Sequence, residues 1–206
     1  MYDQQTKSLW HHMRGEPVVG PLADSGIRLT PRPVVTTTWR EWVRQHPRTV
    51  VLDIDTGHVR DYTPGRPYGA YYASPDTMFP VFPRSARLAT KDVVFVLRLD
   101  PDRKLYPLDA FDREPVVNDA VGPTSVVVVG QRATRTVRAY ERGNLRFRSG
   151  PGPDELIAEG SGAGWRIEEE ALVAVTDGRR LPRLAGHLAF WFGWFAFRPD
   201  TPVYGR

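Results

Sequence analysis

A chain that matches itself is restricted to folds that can hold two related units. Sliding this sequence along itself by 152 positions pairs Gly26 with Gly178, Arg28 with Arg180, Leu29 with Leu181, Trp39 with Trp191, Trp42 with Trp194, Pro47 with Pro199, Thr49 with Thr201 and Val51 with Val203. Ordinary residue frequencies allow roughly one or two identities over such a stretch, and here two of the eight are tryptophans. An offset of 155 adds Trp10 with Trp165 and Val18 with Val173, which places a three-residue insertion or deletion near Ala23 to Ser25. The pattern reads as a duplication whose first copy begins part-way through, the counterpart of Leu105 to Ser149 falling upstream of Met1. The opening residues fit that reading. They lack the basic-then-apolar profile of a signal peptide, and burying Trp10 requires the first residues to be ordered, so Met1 is expected to be an internal methionine or a late start.

Local patterns supply the elements. Thr38 followed by Glu41 forms a capping box, and Trp39, Trp42, Val43 and His46 recur at helical spacing with Pro47 just beyond, which predicts a short amphipathic helix. The matching stretch, His187 to Arg198, is apolar around its whole circumference and is read as a second helix that must be covered on every side. Val93 to Leu99 and Ser125 to Val129 are β-branched runs bounded by Asp, Pro and Gly, as buried strands are. Thr136 to Arg142 and Leu145 to Arg148 flank Gly143-Asn144 and are read as a hairpin, with Val137, Ala139, Leu145 and Phe147 on one face and Arg138, Tyr140, Arg146 and Arg148 on the other. The expected fold is α+β and β-rich. It is an internal duplication of a mostly antiparallel sheet unit ending in a short Trp-rich helix, with the first copy truncated. One domain spans 1–206: 1–52 is the remnant of repeat 1, 53–100 a connecting loop and strand region, and 101–206 repeat 2.

Composition narrows the function classes. With 206 residues, 41% hydrophobic and 25% charged, the chain is long enough for a real core and is not of the disordered type. The absence of cysteine excludes disulfides, thiolate metal sites and a Cys nucleophile. The longest apolar run, Leu188 to Phe197, is about half of the ~20 residues a membrane helix needs, so no transmembrane segment is expected. A net charge of +4 is too small to argue for nucleic acid.

Each candidate for chemistry has a plainer competitor. Ile54-Asp55-Thr56-Gly57 matches the core of aspartic proteases, in which two carboxylates share a proton, but the repeat places no second copy within the chain, so only a homodimer would complete it. A polar strand end whose Asp55 caps a turn is the simpler reading. Asp55, His58, Arg60 and Asp61 lack the spacing of a metal motif. Adjacent His11 and His12 would face opposite ways in a strand, and His46 and His187 are read as helix-end residues. The arginine-rich stretch Arg132 to Arg148 reads as a solvated face or as partners for Glu168 to Glu170. The tryptophans fall in repeat-related positions and are read as mainly core. Asp53 to Phe82, dense in tyrosine, proline and glycine, reads as a long ordered loop, and such loops are often functional.

The sequence resembles the bacterial and archaeal family called domain of unknown function 3179. The resemblance rests on Met1-Tyr2-Asp3 with Thr6 and Ser8-Leu9-Trp10, on Gly15-Glu16 with Gly20 and Leu22, and on Trp39, Trp42 and His46-Pro47. It continues through Asp55-Thr56-Gly57, Asp61-Tyr62, Tyr106-Pro107-Leu108, Val117-Asn118-Asp119 and Phe190-Trp191-Phe192 with Trp194, Phe197 and Pro199-Asp200-Thr201. The resemblance implies an upstream copy of the strand region carrying Cys-Pro-Leu, which this chain does not contain, and possession of an export or targeting segment in the missing front end. It implies no established reaction.

Together these readings predict a non-catalytic binding or structural module with a polar-aromatic ligand loop at 53–72, its contacts made by Asp55, Arg60, Asp61, Tyr62 and Tyr68. The alternative is a hydrolase using Asp55. No catalytic residue, metal ligand, cofactor or compartment is assigned. The ligand is a small molecule or a protein, nucleic acid is not expected, and self-association through exposed apolar surface is.

Overall fold

Alternation along a strand sends successive side chains to opposite faces, so a run apolar at every position needs a core on each side. Val126 to Val129 is such a run, and the whole second half of the protein is organised around the strand that carries it. The computed structural model describes residues 1–63, 65–66 and 68–206.

Two compact units are present, Met1–Val34 and Val35–Arg206. The first is a three-stranded antiparallel sheet, β1 (Tyr2–Asp3), β2 (Ser8–His11) and β3 (Glu16–Val19). The second begins with helices α1 (Trp39–Gln45) and α2 (Gly69–Ala73). Strands follow: β4 (Val93–Leu99), β5 (Asp102–Pro107), β6 (Val116–Val121), β7 (Thr124–Gln131), β8 (Thr136–Glu141), β9 (Phe147–Ser149), β10 (Glu155–Ala158), β11 (Gly164–Ile167), β12 (Ala171–Ala174), β13 (Arg180–Pro182) and β14 (Gly186–Phe190). Helix α3 (Trp191–Phe195) closes the series.

The second unit's strands form three antiparallel sheets, ordered β14-β4-β5, β6-β7-β8 and β13-β12-β11-β10-β9. On one face of the middle sheet, Val117, Val126, Val128, Val137 and Ala139 pack with Phe95, Leu97 and Tyr106 of the first sheet. On the other, Val116, Val127 and Tyr140 pack with Phe147, Leu156, Trp165 and Leu172 of the five-stranded sheet. The fold is therefore β-rich α+β with antiparallel sheets and a short C-terminal Trp-bearing helix, as the sequence predicts.

Three details differ. Gly143-Asn144 does not join a hairpin: β8 pairs with β7 and β9 with β10, so the turn carries the chain from one sheet to the next. Tyr140 consequently lies in the same core as Phe147 rather than opposite it. The apolar run from His187 divides into strand and helix, because the edge of β4 takes Gly186 to Phe190 in antiparallel register before α3 begins. His187 thus lies in a strand against the Trp194 ring, whereas His46 caps the end of α1 as expected. His12 lies beyond the end of β2, where alternation no longer applies, and its ring stacks on His11 at 5.9 Å.

The two tryptophan helices share a local bond pattern at the 152-residue offset. Both N-caps are extended, Thr38 at φ −79°, ψ 152° and Phe190 at φ −73°, ψ 142°. The His46 amide donates to the Trp42 carbonyl at 2.8 Å, and the Arg198 amide donates to that of Trp194 at 3.0 Å. The Thr49 and Thr201 amides then donate to the His46 and Arg198 carbonyls. Finally, Trp42 Nε1 donates to Thr49 Oγ1 at 2.9 Å and Trp194 Nε1 to Thr201 Oγ1 at 3.0 Å. At the 155-residue offset, Tyr2 pairs with Leu9 as Ile157 pairs with Gly164, and the intervening turns place Lys7 and Gly162 at φ 54° and 71°.

Candidate binding surface

Lys91 fixes the position of α2. Its ammonium lies 3.5 Å from the Tyr71 ring centroid and donates to the carbonyls of Tyr71 and, at 2.7 Å, Ser74, so it serves both as a cation over an aromatic face and as a C-terminal cap. Helix α3 is anchored at its start by the Trp191 amide on Asp92 O at 2.8 Å and the Phe192 amide on Thr90 O at 3.0 Å. Phe190 ends β14 with its ring edge-on to Tyr71 at 6.4 Å and stacked on Phe192 at 5.8 Å. An aromatic layer results from two segments more than a hundred residues apart.

Residues 75–85 run opposite this layer and leave a recess of about 310 Å³. Trp191, Phe192 and Phe195 line one side, Met78, Phe79 and Val81 the other, and Asp76, Thr77, Arg84 and Ser85 supply polar groups. A second recess of about 300 Å³ shares Met78, Phe79, Val81 and Phe192 and is lined also by Tyr68, Tyr71 and Tyr72. Met78 and Phe79 are exposed, so the apolar surface is open to solvent. The Trp191 ring is buried, and its Nε1 has no hydrogen-bond partner among the described residues. A buried donor left unsatisfied costs roughly 1–3 kcal/mol.

Another cleft, about 330 Å³, is bounded by Glu41, Gln45, Asp112, Arg132, Arg138 and Asp154. Its charges largely satisfy one another: Arg132 pairs with Asp112 at 2.6 Å, Arg44 with Asp154 at 2.5 Å, and Gln45 donates to Asp154 at 3.1 Å. Arg138 pairs with Glu169 at 3.1 Å, as expected of the arginine-rich stretch and the acidic residues 168–170. Beside the core, Tyr106 donates to Asp119 at 2.9 Å and Lys104 pairs with the same carboxylate at 2.7 Å. Burial first, and then the Asp119 charge, drive the Tyr106 phenol far above its ordinary value. Burial and the hydrogen bond to Glu114 push Tyr204 up to about 12. These groups are fixed in their protonated forms near neutrality and act as structural hydrogen-bond donors.

Of the loop residues singled out in the sequence, Asp55, Arg60, Asp61 and Tyr62 are exposed and lie in 53–63, where no helix or strand forms. The turn around Asp55 is capped by Asp53, whose Oδ1 accepts the Asp55 amide at 3.0 Å; Asp55 itself is not the cap. Asp61 Oδ1 accepts the Thr63 amide at 2.9 Å and its other oxygen lies 3.7 Å from Arg66. The Thr63 hydrogen bonds hold the Asp61 carboxyl below its usual range. Tyr68 differs from these four: it precedes α2 and lines the second recess. Pro64 and Pro67, within the same segment, lie outside the described residues. Among the described residues no three His, Asp or Glu side chains converge as a metal site, and no helix is long and apolar enough to cross a membrane.

The recess residues Met78, Phe79, Trp191 and Phe192 were not singled out as ligand contacts from sequence. The signal available was the surplus of apolar residues in 188–197, which marks a surface needing cover and not the identity of what covers it.

Comparison with curated proteins gave no match, and comparison with solved structures gave none. A family model described as "Protein of unknown function (DUF3179)" matches residues 1–201. With nearly its whole length matched, the chain belongs to the DUF3179 family.

Proposed function

We propose that the protein is a non-catalytic binding module whose ligand is apolar and carries one hydrogen-bond acceptor. The ligand sits in the recess between residues 75–85 and α3. The observation that carries this reading is Trp191 Nε1, a buried donor without a partner among the described residues, in a residue that lines a recess of mixed apolar and polar walls. Apolar walls with one or a few placed polar groups are what small-molecule sites present. The loop 53–72 contributes through Tyr68, which lines the adjoining recess.

N-methylbenzamide, an aromatic ring with one carbonyl acceptor, is a suitable probe. Titrating it while recording indole N–H resonances should shift the Trp191 signal saturably. Phe192→Ala, at a half-buried position, should weaken binding at least fivefold without unfolding the protein. An unmoved Trp191 signal, or equal affinity in Phe192→Ala, would remove the basis for this site.

A further inference from the structure

The β14–α3–tail segment, 186–204, is a clamp. β14 pairs antiparallel with β4, and β4 pairs antiparallel with β5. The tail then closes the far edge: the Leu105 amide donates to Pro202 O at 2.9 Å, the Tyr204 amide donates to Leu105 O at 2.8 Å, and Leu105 and Val203 form a parallel bridge. A β-hairpin, β4–β5, is thereby held between two stretches of one β-α-β crossover. Under this cover Trp191 and Trp194 are each 2% exposed and Val203 6%.

Residues 35–52 repeat the clamp without the hairpin. The helix, its extended N-cap and the Trp–Thr hydrogen bond are formed at the same offset. Yet Trp39, the counterpart of Trp191, is 52% exposed, and Val51, the counterpart of Val203, is 68% exposed. Its neighbours Val50 and Leu52 are 88% and 92% exposed. The backbone leading into α1 is likewise outside any sheet: residues 35–38, which correspond to the β14 stretch 187–190, belong to no strand. The opposite side of α1 is engaged within its own unit, through Arg44 and Gln45 on Asp154.

We propose that residues 35–52 form a docking site for an antiparallel β-hairpin of the β4–β5 kind, supplied by a polypeptide segment outside residues 1–206. The second clamp identifies the occupant: an inner strand of valine, leucine and phenylalanine, as in β4, and a more polar outer strand, as in β5, whose edge offers one amide and one carbonyl to the tail. By equivalence, Val50 O accepts from the hairpin's edge and the Leu52 amide donates to it. Three apolar side chains in a row at 50–52 then lie on the hairpin as Val203 and Tyr204 lie on β5. This surface is separate from the aromatic recess, and its test is read at different residues.

The probe is a synthetic peptide with the sequence of residues 90–108, which contains the whole β4–β5 hairpin. Hydrogen exchange of the intact protein, with and without peptide, should show protection confined to 35–52, with 186–204 unchanged. Val51→Asp should weaken binding at least tenfold. Leu52→Pro, which stays apolar but removes the amide donor, should do the same. Both positions are exposed, so both variants should fold as the parent does. Absence of protection at 35–52 overturns the proposal. So does full binding by Leu52→Pro, which would mean indiscriminate apolar adhesion. Concentration-dependent dimerisation that protects 35–52 without peptide would overturn it in favour of a second copy as occupant.

Discussion

Glu169 is a single carboxylate serving two buried cations. Arg138 and Arg183 side chains are only 7% and 4% exposed, and both end on it, Arg183 also donating to the Glu169 carbonyl at 3.0 Å. Removing it strands both guanidinium groups, so Glu169→Ala should cost about 2–3 kcal/mol, less than the ~3–5 of a fully buried pair because the carboxylate is 38% exposed. Burial raises the Glu169 pKa, but hydrogen bonding and charge from Arg138 and then Arg183 outweigh it and hold the group below its ordinary 4.5. The folded state therefore binds this proton less readily than the unfolded chain does. The stabilisation is complete above the ordinary carboxylate range and drains away as pH falls below about 4.5. Urea unfolding between pH 7 and 3 should show a shallower acid loss in Glu169→Gln than in the parent. At this scale the sequence was readable where partners are close along the chain. Thr38 Oγ1 does accept the Glu41 amide, at 3.3 Å. Tyr140 was misplaced because alternation separates two faces without revealing that both are buried.

The two Trp–Thr hydrogen bonds compare one element in two environments. Thr201→Val leaves the buried Trp194 indole without an acceptor and should cost about 1–2 kcal/mol, whereas Thr49→Val exposes Trp42 Nε1 to water and should cost under about 0.5. Chemical-denaturation midpoints of the two variants test the difference directly. Equal losses would show that the exposure seen around α1 is not present in solution. Elements themselves were unevenly legible. β4 begins and ends where its β-branched run does, because Asp92 and Asp100 bound it. The stretch after His187 was read as continuous helix because a run apolar at every position fits either period, and only the free edge of β4 decides in favour of strand.

In the second unit, one middle sheet is shared by two cores, and this should make unfolding a single event. Leu97→Ala in one core and Leu172→Ala in the other should each lower stability by about 2–4 kcal/mol and move the same transition, followed identically by far-ultraviolet circular dichroism and by fluorescence. Two separable transitions would mean that the cores are independent. Fold class was legible because β-branched runs and turn residues are local signals. The recess was not, since it brings Tyr68 to Ser85 against Trp191 to Phe195, and no periodicity encodes that meeting. The six indoles also fall into two environments. Trp165, Trp191 and Trp194 are dry, while Trp10, Trp39 and Trp42 are in reach of water. The protein's ultraviolet emission is therefore a sum of a blue, unquenchable half and a red, quenchable half, and the colour of the light alone reports whether α1 has been covered.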